Sequence, residues 1–279
     1  MKPQDHRGEP APLLTDIVER MTGVSCEEPV RDHPAFKKPD SPGCTIWRYM
    51  DFTKFVSMLA KRGLFSPRVC CLDDPFEGST PKANVLWREE LATNHGLERD
   101  AFAPLGAGLK WSRQWTLVNC WHMNDVESAA MWHLYSQSDE AIAIKSTFGL
   151  LDQCLGDHCY IGMVEYLDYD SDTDVIESRN NLATFVHKRK SFEHEKELRA
   201  LFQDLPTIKR SDGLRAHDIH AEPHDNGRWV PVDLNELVTE VVVAPQAPPW
   251  FKELVEDVCD KYGLRKSVRQ SLIAKDPLY

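Results

Sequence analysis

The feature of this sequence that most constrains its fold is a short apolar run, Ala141-Ile-Ala-Ile, which continues through Lys145 into the hydroxyls of Ser146 and Thr147. An apolar run of this length without polar alternation predicts a central strand that is covered on both faces. Elsewhere the predicted helices and strands do not alternate strictly, and several predicted strands have one polar face. The sequence therefore predicts an α+β fold, with a mixed or antiparallel sheet flanked by helices, rather than a doubly wound parallel sheet.

Composition narrows the class of protein. With 42% hydrophobic and 28% charged residues among 279, the chain fits a soluble globular protein. No apolar run approaches the ~20 residues that span a bilayer, and the first residues lack the pattern of a secretory signal, so a cytoplasmic location is expected. The formal charge of -11 disfavours a general nucleic-acid coat, because phosphate binding depends on clustered lysine and arginine.

Proline and cysteine positions bear on domain organisation. Prolines recur near the start of the chain, which predicts a flexible leader over residues 1–40 followed by a single α+β domain over residues 41–279. The eight cysteines include no C-x-x-C pair. In a long chain without an export signal, this pattern predicts free thiols, and no metal site is expected.

An unusual charge pattern occupies residues 192–199. On a strand, alternation would place Glu193, Glu195 and Glu197 on one face, followed by Arg199. Carboxylates in one row repel and raise each other's proton affinity unless a cation or a polar ligand lies between them. Such a pair suits the binding of sugar hydroxyls or the stabilisation of a cationic transition state. The residues leave a second interpretation open, a solvated face on which Arg199 and nearby basic residues balance the acids.

Three further places carry candidate site residues. Glu77 ends the turn-forming segment Asp74-Pro75-Phe76-Glu77, where a carboxylate on a rigid loop can contact a substrate. His122 ends a predicted strand and can act as an acid or a base, although such a histidine also serves simply to complete hydrogen bonds. Trp132 and Tyr135 are spaced to share one face of a predicted helix, so they belong either to the core or to a shelf for a planar ring.

Four short motifs resemble the bacterial family catalogued only as domain of unknown function 2971. The resemblance covers roughly residues 45–275, and the family label carries no settled chemistry, so it does not decide function by itself. The motifs are Trp47-Arg48-Tyr49, Asp74-Pro75-Phe76-Glu77, the segment from Asn119 to Ser146, and Phe192 with Glu195, Glu197 and Arg199.

The order of candidate residues is also similar to that of the ADP-ribosyltransferase superfamily. The shared order is a basic residue on a first strand, a hydroxyl on a central strand and a Glu-x-Glu pair on a later strand. This resemblance implies a split mixed sheet that holds NAD in a cleft. It also implies that nicotinamide is displaced through an oxocarbenium-like transition state.

Carried over residue by residue, the resemblance assigns NAD-binding roles to the early strands. Arg48 is expected to contact the phosphates or ribose of NAD, since a guanidinium binds phosphate with two parallel hydrogen bonds. Tyr49 substitutes for it if the strand turns that side chain inward. Ser146, and less directly Thr147, is expected to supply the hydroxyl that orients the nicotinamide ribose. The sequence departs here from the better-known Ser-Thr-Ser pattern, because Lys145 takes the first place.

The acidic strand receives the catalytic roles. Glu197 is expected to accept a hydrogen bond from the ribose 2′-hydroxyl and to stabilise positive charge as the glycosidic bond breaks. Glu195 is expected to choose or activate the acceptor, or to be the acid that does the chemistry. Glu77, His122 and Arg199 are the expected substrate contacts, and an arginine beside the acids departs from the pattern of the superfamily.

The hypothesis from sequence is an enzyme that transfers ADP-ribose from NAD to a protein or nucleic-acid acceptor, in the manner of a toxin or phage-defence effector, with no membrane partner. Trp132 and Tyr135 would then form a shelf for nicotinamide or adenine. Two alternatives stay open. One is a nuclease or glycosidase-like hydrolase in which Glu195 and Glu197 bind a divalent metal or act as acid and base. The other is a non-enzymatic module whose acidic strand face docks to a basic partner.

Overall fold

The computed structural model describes residues 33–98, 100–135, 139–177, 180–209, 214–275 and 277–278. Most of the predicted leader, residues 1–32, lies outside these ranges. Its last part is packed: Phe36 is buried with its ring 4.6 Å from that of Tyr160, and the Lys37 carbonyl accepts a hydrogen bond from the Met163 amide. Phe36 and Lys37, which the sequence assigned to the leader, therefore pack against the folded domain.

The helices of the described residues follow local sequence patterns, as the last long helix shows. Its first residue is Pro249, and Gly263 follows its end with φ 77, the left-handed conformation that glycine adopts without strain. Phe251, Val255 and Cys259 recur at helical spacing and are buried. The α-helices are α1 (Phe52–Lys61), α2 (Lys82–Asn94), α3 (Ala103–Ser112), α4 (Ala129–Tyr135), α5 (Phe148–Leu155), α6 (Leu234–Leu237) and α7 (Pro249–Tyr262).

Most strands belong to one mixed sheet. The strands are β1 (Thr45–Asp51), β2 (Gly63–Pro67), β3 (Thr116–Met123), β4 (Ala141–Thr147), β5 (Tyr160–Met163), β6 (Glu165–Leu167), β7 (His187–Arg189), β8 (Glu197–Gln203), β9 (Thr207–Lys209), β10 (Arg215–His217), β11 (Gly227–Pro231), β12 (Glu240–Val243) and β13 (Val268–Gln270). The main sheet has the order β13-β12-β4-β1-β3-β8-β5. Its β12–β13 pair is parallel and its other pairs are antiparallel. The predicted α+β class, with a mixed sheet flanked by helices, is confirmed.

The apolar run at residues 141–144 forms most of β4, as predicted. β4 lies between β12 and β1 inside the main sheet. Its first four side chains are completely buried, which is the environment that a strand without polar alternation requires. Helices α1, α5 and α7 contribute buried apolar residues to the same core.

The main sheet divides between β1 and β3. β1 pairs with β4 along its full length, from Thr45 opposite Thr147 to Asp51 opposite Ala141. In contrast, β1 pairs with β3 only at Ile46–Met123 and Trp47–His122 within the described part of the chain. Near its other end, β3 is bridged instead to the segment that follows β2, through the isolated pair of residues 117 and 68. The sheet is therefore split from residue 48 of β1 onward.

The Glu-rich segment is not a continuous strand, which corrects the prediction from sequence. Lys190–Glu195 forms a 3-10 turn, Lys196 adopts the left-handed conformation with φ 41, and β8 begins only at Glu197. A left-handed residue reverses the local course of the chain, so strand alternation does not continue through it. The predicted row of glutamates on one strand face is consequently absent, and Glu193 is exposed.

Two properties of the described residues bear on the cellular setting. No helix in the described ranges combines the length and the apolar character needed to cross a membrane. The cysteines that lie in these ranges are free thiols. The predicted reduced thiols are therefore consistent with the folded chain.

Candidate functional site

A cavity of about 720 Å³ lies where the sheet divides. Its lining includes four consecutive residues of β1, Trp47–Met50, and three of β3, Cys120–His122. Because successive strand residues point to opposite faces, a cavity that contacts consecutive residues must open between the strands. We call this space the interstrand cavity. Residues of α1, β2, β7, β8 and the 3-10 turn before β8 complete its walls.

Buried ion pairs occupy one side of the interstrand cavity. The Arg199 guanidinium donates two hydrogen bonds to the Glu77 carboxylate, with N–O distances of 2.7 and 2.8 Å. It donates a third, of 2.8 Å, to Glu197 and a fourth, of 2.8 Å, to the backbone carbonyl of Phe185. These bonds hold the turn that carries Glu77 against β8.

Lys188 of β7 completes this group of charges. Its ammonium donates a hydrogen bond of 2.5 Å to Glu195. It also lies 3.4 Å from a carboxylate oxygen of Glu77 and 3.7 Å from one of Glu197. Three buried carboxylates thus share two buried cations. We call the five residues the ion cluster: Glu77, Lys188, Glu195, Glu197 and Arg199.

The pKa values of Glu195 and Glu197, two members of the ion cluster, are shifted in opposite directions. Burial alone would raise the pKa of Glu197, but the charges of Arg199 and Lys188 outweigh burial and lower it. Burial, reinforced by the negative charge of Glu197, raises the pKa of Glu195. Burial also opposes the charge of Lys188, but the surrounding acids prevail and raise its pKa. Glu197 is therefore the carboxylate held in its ionised form.

His122 lies opposite Glu197 on the neighbouring strand β3. Its Nδ1 is 2.6 Å from the backbone carbonyl oxygen of Glu195. Its Nε2 is buried and has no hydrogen-bond partner among the residues that the structure describes. Burial lowers the pKa of His122, so the imidazole is neutral near neutral pH.

Arg48 contributes a half-buried cation from β1. Its guanidinium donates hydrogen bonds to the Asn119 side-chain oxygen at 2.9 Å and to the Phe65 carbonyl at 2.8 Å. Both acceptors are neutral, and none of the ion pairs found in the described residues includes Arg48. Burial lowers the pKa of Arg48 to about 10, a value at which the group still carries its charge at neutral pH.

Aromatic rings form much of the remaining wall. Phe65 and Trp229 pack with their ring centroids 5.3 Å apart across the β2–β11 pairing. Trp47 and Tyr49 lie along β1 with centroids 6.4 Å apart, and Tyr135 reaches the cavity from α4. Rings of this kind offer flat surfaces against which a planar ligand group can stack.

Ser146 lies outside the interstrand cavity, which corrects its predicted role as the catalytic hydroxyl. It stands opposite Ile46 on β1, so its side chain points to the face away from that of Trp47. There it is completely buried and donates a hydrogen bond of 2.6 Å to the Leu237 carbonyl. Of the three residues Arg48, Ser146 and Glu197, only Arg48 and Glu197 therefore line the same cavity.

Two predicted NAD contacts also do not line the cavity. The Thr147 hydroxyl caps the start of α5, where it accepts a hydrogen bond of 3.3 Å from the Leu150 amide. Trp132 is buried behind Tyr49, with the ring centroids 5.0 Å apart and nearly perpendicular. Both side chains therefore support the structure around the site.

The other predicted site residues do converge on the interstrand cavity. They are Arg48, Tyr49, Glu77, His122, Tyr135, Glu195, Glu197 and Arg199. Lys188, Cys120 and Phe192 also line it, although the sequence did not predict them as site residues. Lys188 lies in a three-residue strand too short to predict from periodicity. Cys120 stands opposite Arg199, and only the β3–β8 register shows this.

Comparison with known proteins leaves the fold and the cavity as the basis for assigning function. No protein-family model matches the chain, and no curated protein matches it. The resemblances to domain of unknown function 2971 and to the ADP-ribosyltransferases therefore stay predictions from short motifs.

Proposed function

We propose that this protein is an ADP-ribosyltransferase-like enzyme, which binds NAD in the interstrand cavity and transfers ADP-ribose to a protein or nucleic-acid acceptor. One observation carries the proposal. A half-buried cation, Arg48, and an ionised carboxylate, Glu197, line the same cavity at the point where the sheet divides. The cytoplasmic setting and the toxin or phage-defence role expected from the sequence are part of the same proposal.

Arg48 supports the binding of the phosphate groups. The half-buried Arg48 guanidinium is bonded to neutral groups only, so it lacks a counter-charge. Its bonds to Asn119 and Phe65 use two of its five N–H donors. The pyrophosphate of NAD would supply the missing negative charge, and phosphate oxygens match the fork of a guanidinium.

Glu197 supports chemistry at the ribose. An ionised carboxylate can accept a hydrogen bond from a ribose hydroxyl, and it can stabilise the positive charge that develops as the bond to nicotinamide breaks. The carboxylate is fixed by a hydrogen bond of 2.8 Å from Arg199, and its backbone amide donates a hydrogen bond of 2.9 Å to the Tyr166 hydroxyl. A charge that is fixed beforehand requires little reorganisation during the reaction.

The size and walls of the cavity suit a dinucleotide. Small-molecule sites typically enclose ~300–1,000 Å³ and combine apolar walls with a few placed polar groups. The interstrand cavity, at about 720 Å³, has this volume, and its aromatic wall includes Trp47, Tyr49, Phe65 and Trp229. These rings are suited to stacking against nicotinamide or adenine.

A metal-dependent hydrolase, the first alternative, has less support. Its candidate ligands, Glu195 and Glu197, already bind Lys188 and Arg199. Carboxylates that neutralise cations have less negative charge to offer a divalent ion. Across the described ranges, no group of three or more His, Cys, Asp or Glu side chains is placed to hold a metal ion.

A docking module, the second alternative, requires acids that face solvent. Glu195 and Glu197 are only 7% and 6% exposed. Lys188 and Arg199 already bind one carboxylate oxygen of each. Buried and neutralised acids present little field to an approaching basic partner, so the geometry favours a ligand inside the cavity.

The proposal is tested with purified protein and NAD that carries a radiolabel in its ADP-ribose part. Calorimetry measures binding, while nicotinamide release and labelled macromolecules in a cell lysate report the reaction. The lysate is included so that an acceptor is present. We expect binding, release and labelling together. If the protein neither binds NAD nor releases nicotinamide with lysate present, the proposal is rejected.

Two matched variants locate the activity. Glu197→Gln keeps the shape of the side chain but removes its charge, so we expect transfer to fall by ~100-fold or more. Glu193→Gln is the control, because Glu193 is exposed on the preceding turn and does not line the interstrand cavity. An equal loss in both variants would show that the effect does not arise from the carboxylate in the cavity.

A further inference from the structure

The imidazole of His122 is oriented by the main chain beside the ion cluster. Its Nδ1 lies 2.6 Å from the Glu195 carbonyl oxygen. A carbonyl only accepts hydrogen bonds, so Nδ1 carries the proton and Nε2 carries the lone pair. The residue lines the interstrand cavity, yet it is only 4% exposed. The backbone thus holds the ring in one tautomer.

The Nε2 atom of His122 has no hydrogen-bond partner within the described part of the chain. A buried polar atom without a partner costs ~1–3 kcal/mol. Such atoms in native proteins call for an explanation, and a catalytic role is one of the common ones. A ligand group in the cavity that donates a hydrogen to Nε2 would satisfy it.

We infer that His122 is the general base of the transfer, and that its Nε2 receives the proton which the acceptor loses when it attacks the ribose. This inference rests on the proposed function and deepens it. It names the residue that activates the acceptor, a role that the sequence assigned to Glu195.

The bonds and charges of the step balance. The C–N bond between the anomeric carbon and nicotinamide breaks, and its electron pair neutralises the pyridinium nitrogen. The acceptor heteroatom forms the new bond to the anomeric carbon and gives its hydrogen, as a proton, to Nε2. The imidazolium then releases this proton to solvent. No oxidant, reductant or metal is needed.

The glutamates of the ion cluster are less suited to take this proton. Glu195 accepts a hydrogen bond of 2.5 Å from Lys188, and Glu197 accepts one of 2.8 Å from Arg199. Protonation of either carboxylate would break a buried ion pair. His122 is neutral and loses no ion pair on protonation. It stands opposite Glu197 on the neighbouring strand.

The need for a general base indicates which chemical class of acceptor the enzyme uses. Hydroxyl and N–H groups carry a hydrogen that must leave, whereas carboxylates and phosphates attack in their ionised forms without a base. The acceptor is therefore a hydroxyl or an N–H group of a macromolecule. Its glycosidic product should resist a brief treatment with neutral hydroxylamine, which rapidly cleaves the ester that a carboxylate acceptor would form.

Charged groups around His122 determine when it can act. Lys196 and His194 reinforce the effect of burial and lower the pKa of His122, while its backbone hydrogen bond opposes them. Tyr49 of β1 lies with its ring centroid 6.2 Å away, and Glu197 of β8 stands directly opposite. The imidazole is consequently neutral near pH ~7 and protonated only in acid. The rate of transfer should fall as the pH drops through this pKa.

The test compares His122→Asn with His187→Asn in the full chain. An asparagine amide can still donate to the Glu195 carbonyl, but it offers no lone pair at the place of Nε2. His187 is a matched control because it is buried, its Nδ1 lies 2.7 Å from the Ala183 carbonyl, and it does not line the interstrand cavity. Calorimetry gives NAD affinity, and labelling of lysate macromolecules between about pH 5 and about pH 8 gives the rate.

We expect His122→Asn to bind NAD like the wild type and to transfer label ~100-fold or more slowly. The rate of His122→Asn should also no longer fall at acid pH, whereas the rate of His187→Asn should still show this fall (the acid limb). The transferred label should resist hydroxylamine. A wild-type rate and acid limb in His122→Asn, or rapid release of label by neutral hydroxylamine, would overturn the inference while the proposed function stands. If the wild type neither binds nor cleaves NAD, both fail.

Nitrogen-15 NMR of the wild-type imidazoles gives a result that does not depend on how the variant folds. We expect Nδ1 of His122 to be protonated and Nε2 to be unprotonated at neutral pH. The Nε2 signal should shift when the pH is lowered and when NAD and lysate acceptor are added. A protonated Nε2 at neutral pH would exclude His122 as the base.

Discussion

Arg199 and Glu77 lie 122 positions apart in the chain, yet their side chains form two parallel hydrogen bonds of 2.7 and 2.8 Å in the protein interior. Both side chains are almost inaccessible to solvent. The pair joins the turn before α2 to β8 and forms one side of the interstrand cavity. Stability and site geometry therefore depend on the same two residues.

Glu77→Ala should destabilise the protein strongly. The substitution leaves the buried Arg199 charge with only part of its compensation, and breaking a buried pair in this way costs ~3–5 kcal/mol. Urea denaturation measures the free energy of unfolding. Glu256→Ala is the control: Glu256 forms an ion pair of 2.5 Å with Lys252, but both are partly exposed on α7, so a loss within ~0.5 kcal/mol is expected. Similar losses in both variants would contradict the importance of burial.

Arg48→Gln should weaken NAD binding. The glutamine cannot supply the positive charge, and a hydrogen bond to a charged group contributes ~1.5–3 kcal/mol, which corresponds to a rise in Kd of ~10- to 100-fold. Calorimetry checks the affinity, and a thermal melt checks folding. Lys252→Gln removes a positive charge from α7 and should leave the affinity unchanged. An unaltered Kd in folded Arg48→Gln would exclude Arg48 as the phosphate ligand.

Ser146→Ala should affect stability rather than chemistry. The variant loses the hydrogen bond to Leu237 and leaves a buried carbonyl without that donor, which costs ~1–3 kcal/mol. NAD affinity and the rate of transfer should stay at their wild-type values. A folded Ser146→Ala protein that binds NAD but no longer transfers ADP-ribose would restore the hydroxyl to a catalytic role.

Two buried histidines should make the protein less stable in mild acid. Burial is the main cause that lowers the pKa of both His122 and His187. Since the folded pKa lies below the unfolded value of ~6.5, the unfolded chain binds more protons between the two values, and the free energy of unfolding rises with pH there. The contribution is complete above pH ~6.5 and is lost as the pH falls through the folded pKa.

Denaturation at a series of pH values measures this effect. His187→Asn should reduce the slope by at most ~1.4 kcal/mol per pH unit, because one titrating group is removed. An unchanged slope in His187→Asn would mean that this histidine has the same pKa in the folded and unfolded chains.

Local patterns made part of the fold predictable from the sequence. The bounds of α7 follow from Pro249, Gly263 and an apolar face at helical spacing, and the burial of β4 follows from its apolar run. Glu77 and His122 were predicted as contacts because a rigid turn and a strand end are common places for functional groups. In each case neighbouring residues carry the information.

The remaining features depend on contacts between distant residues or on single backbone angles. The left-handed conformation of Lys196 ends the predicted strand, and no glycine or asparagine marks it in the sequence. The face on which Ser146 lies depends on strand register, which one residue of slip would invert. Lys188 belongs to the site only because β7 lies beside the 3-10 turn that precedes β8.

Two residue pairs join β1 to β3, so the two halves of the main sheet share few backbone hydrogen bonds. Backbone hydrogen bonds between strands limit their motion relative to each other, and few of them link β1 to β3. A ligand in the interstrand cavity would contact both halves of the main sheet. Ligand binding should therefore slow amide hydrogen exchange in the strands on both sides of the cavity at the same time, so the exchange rate reports whether the cavity is occupied.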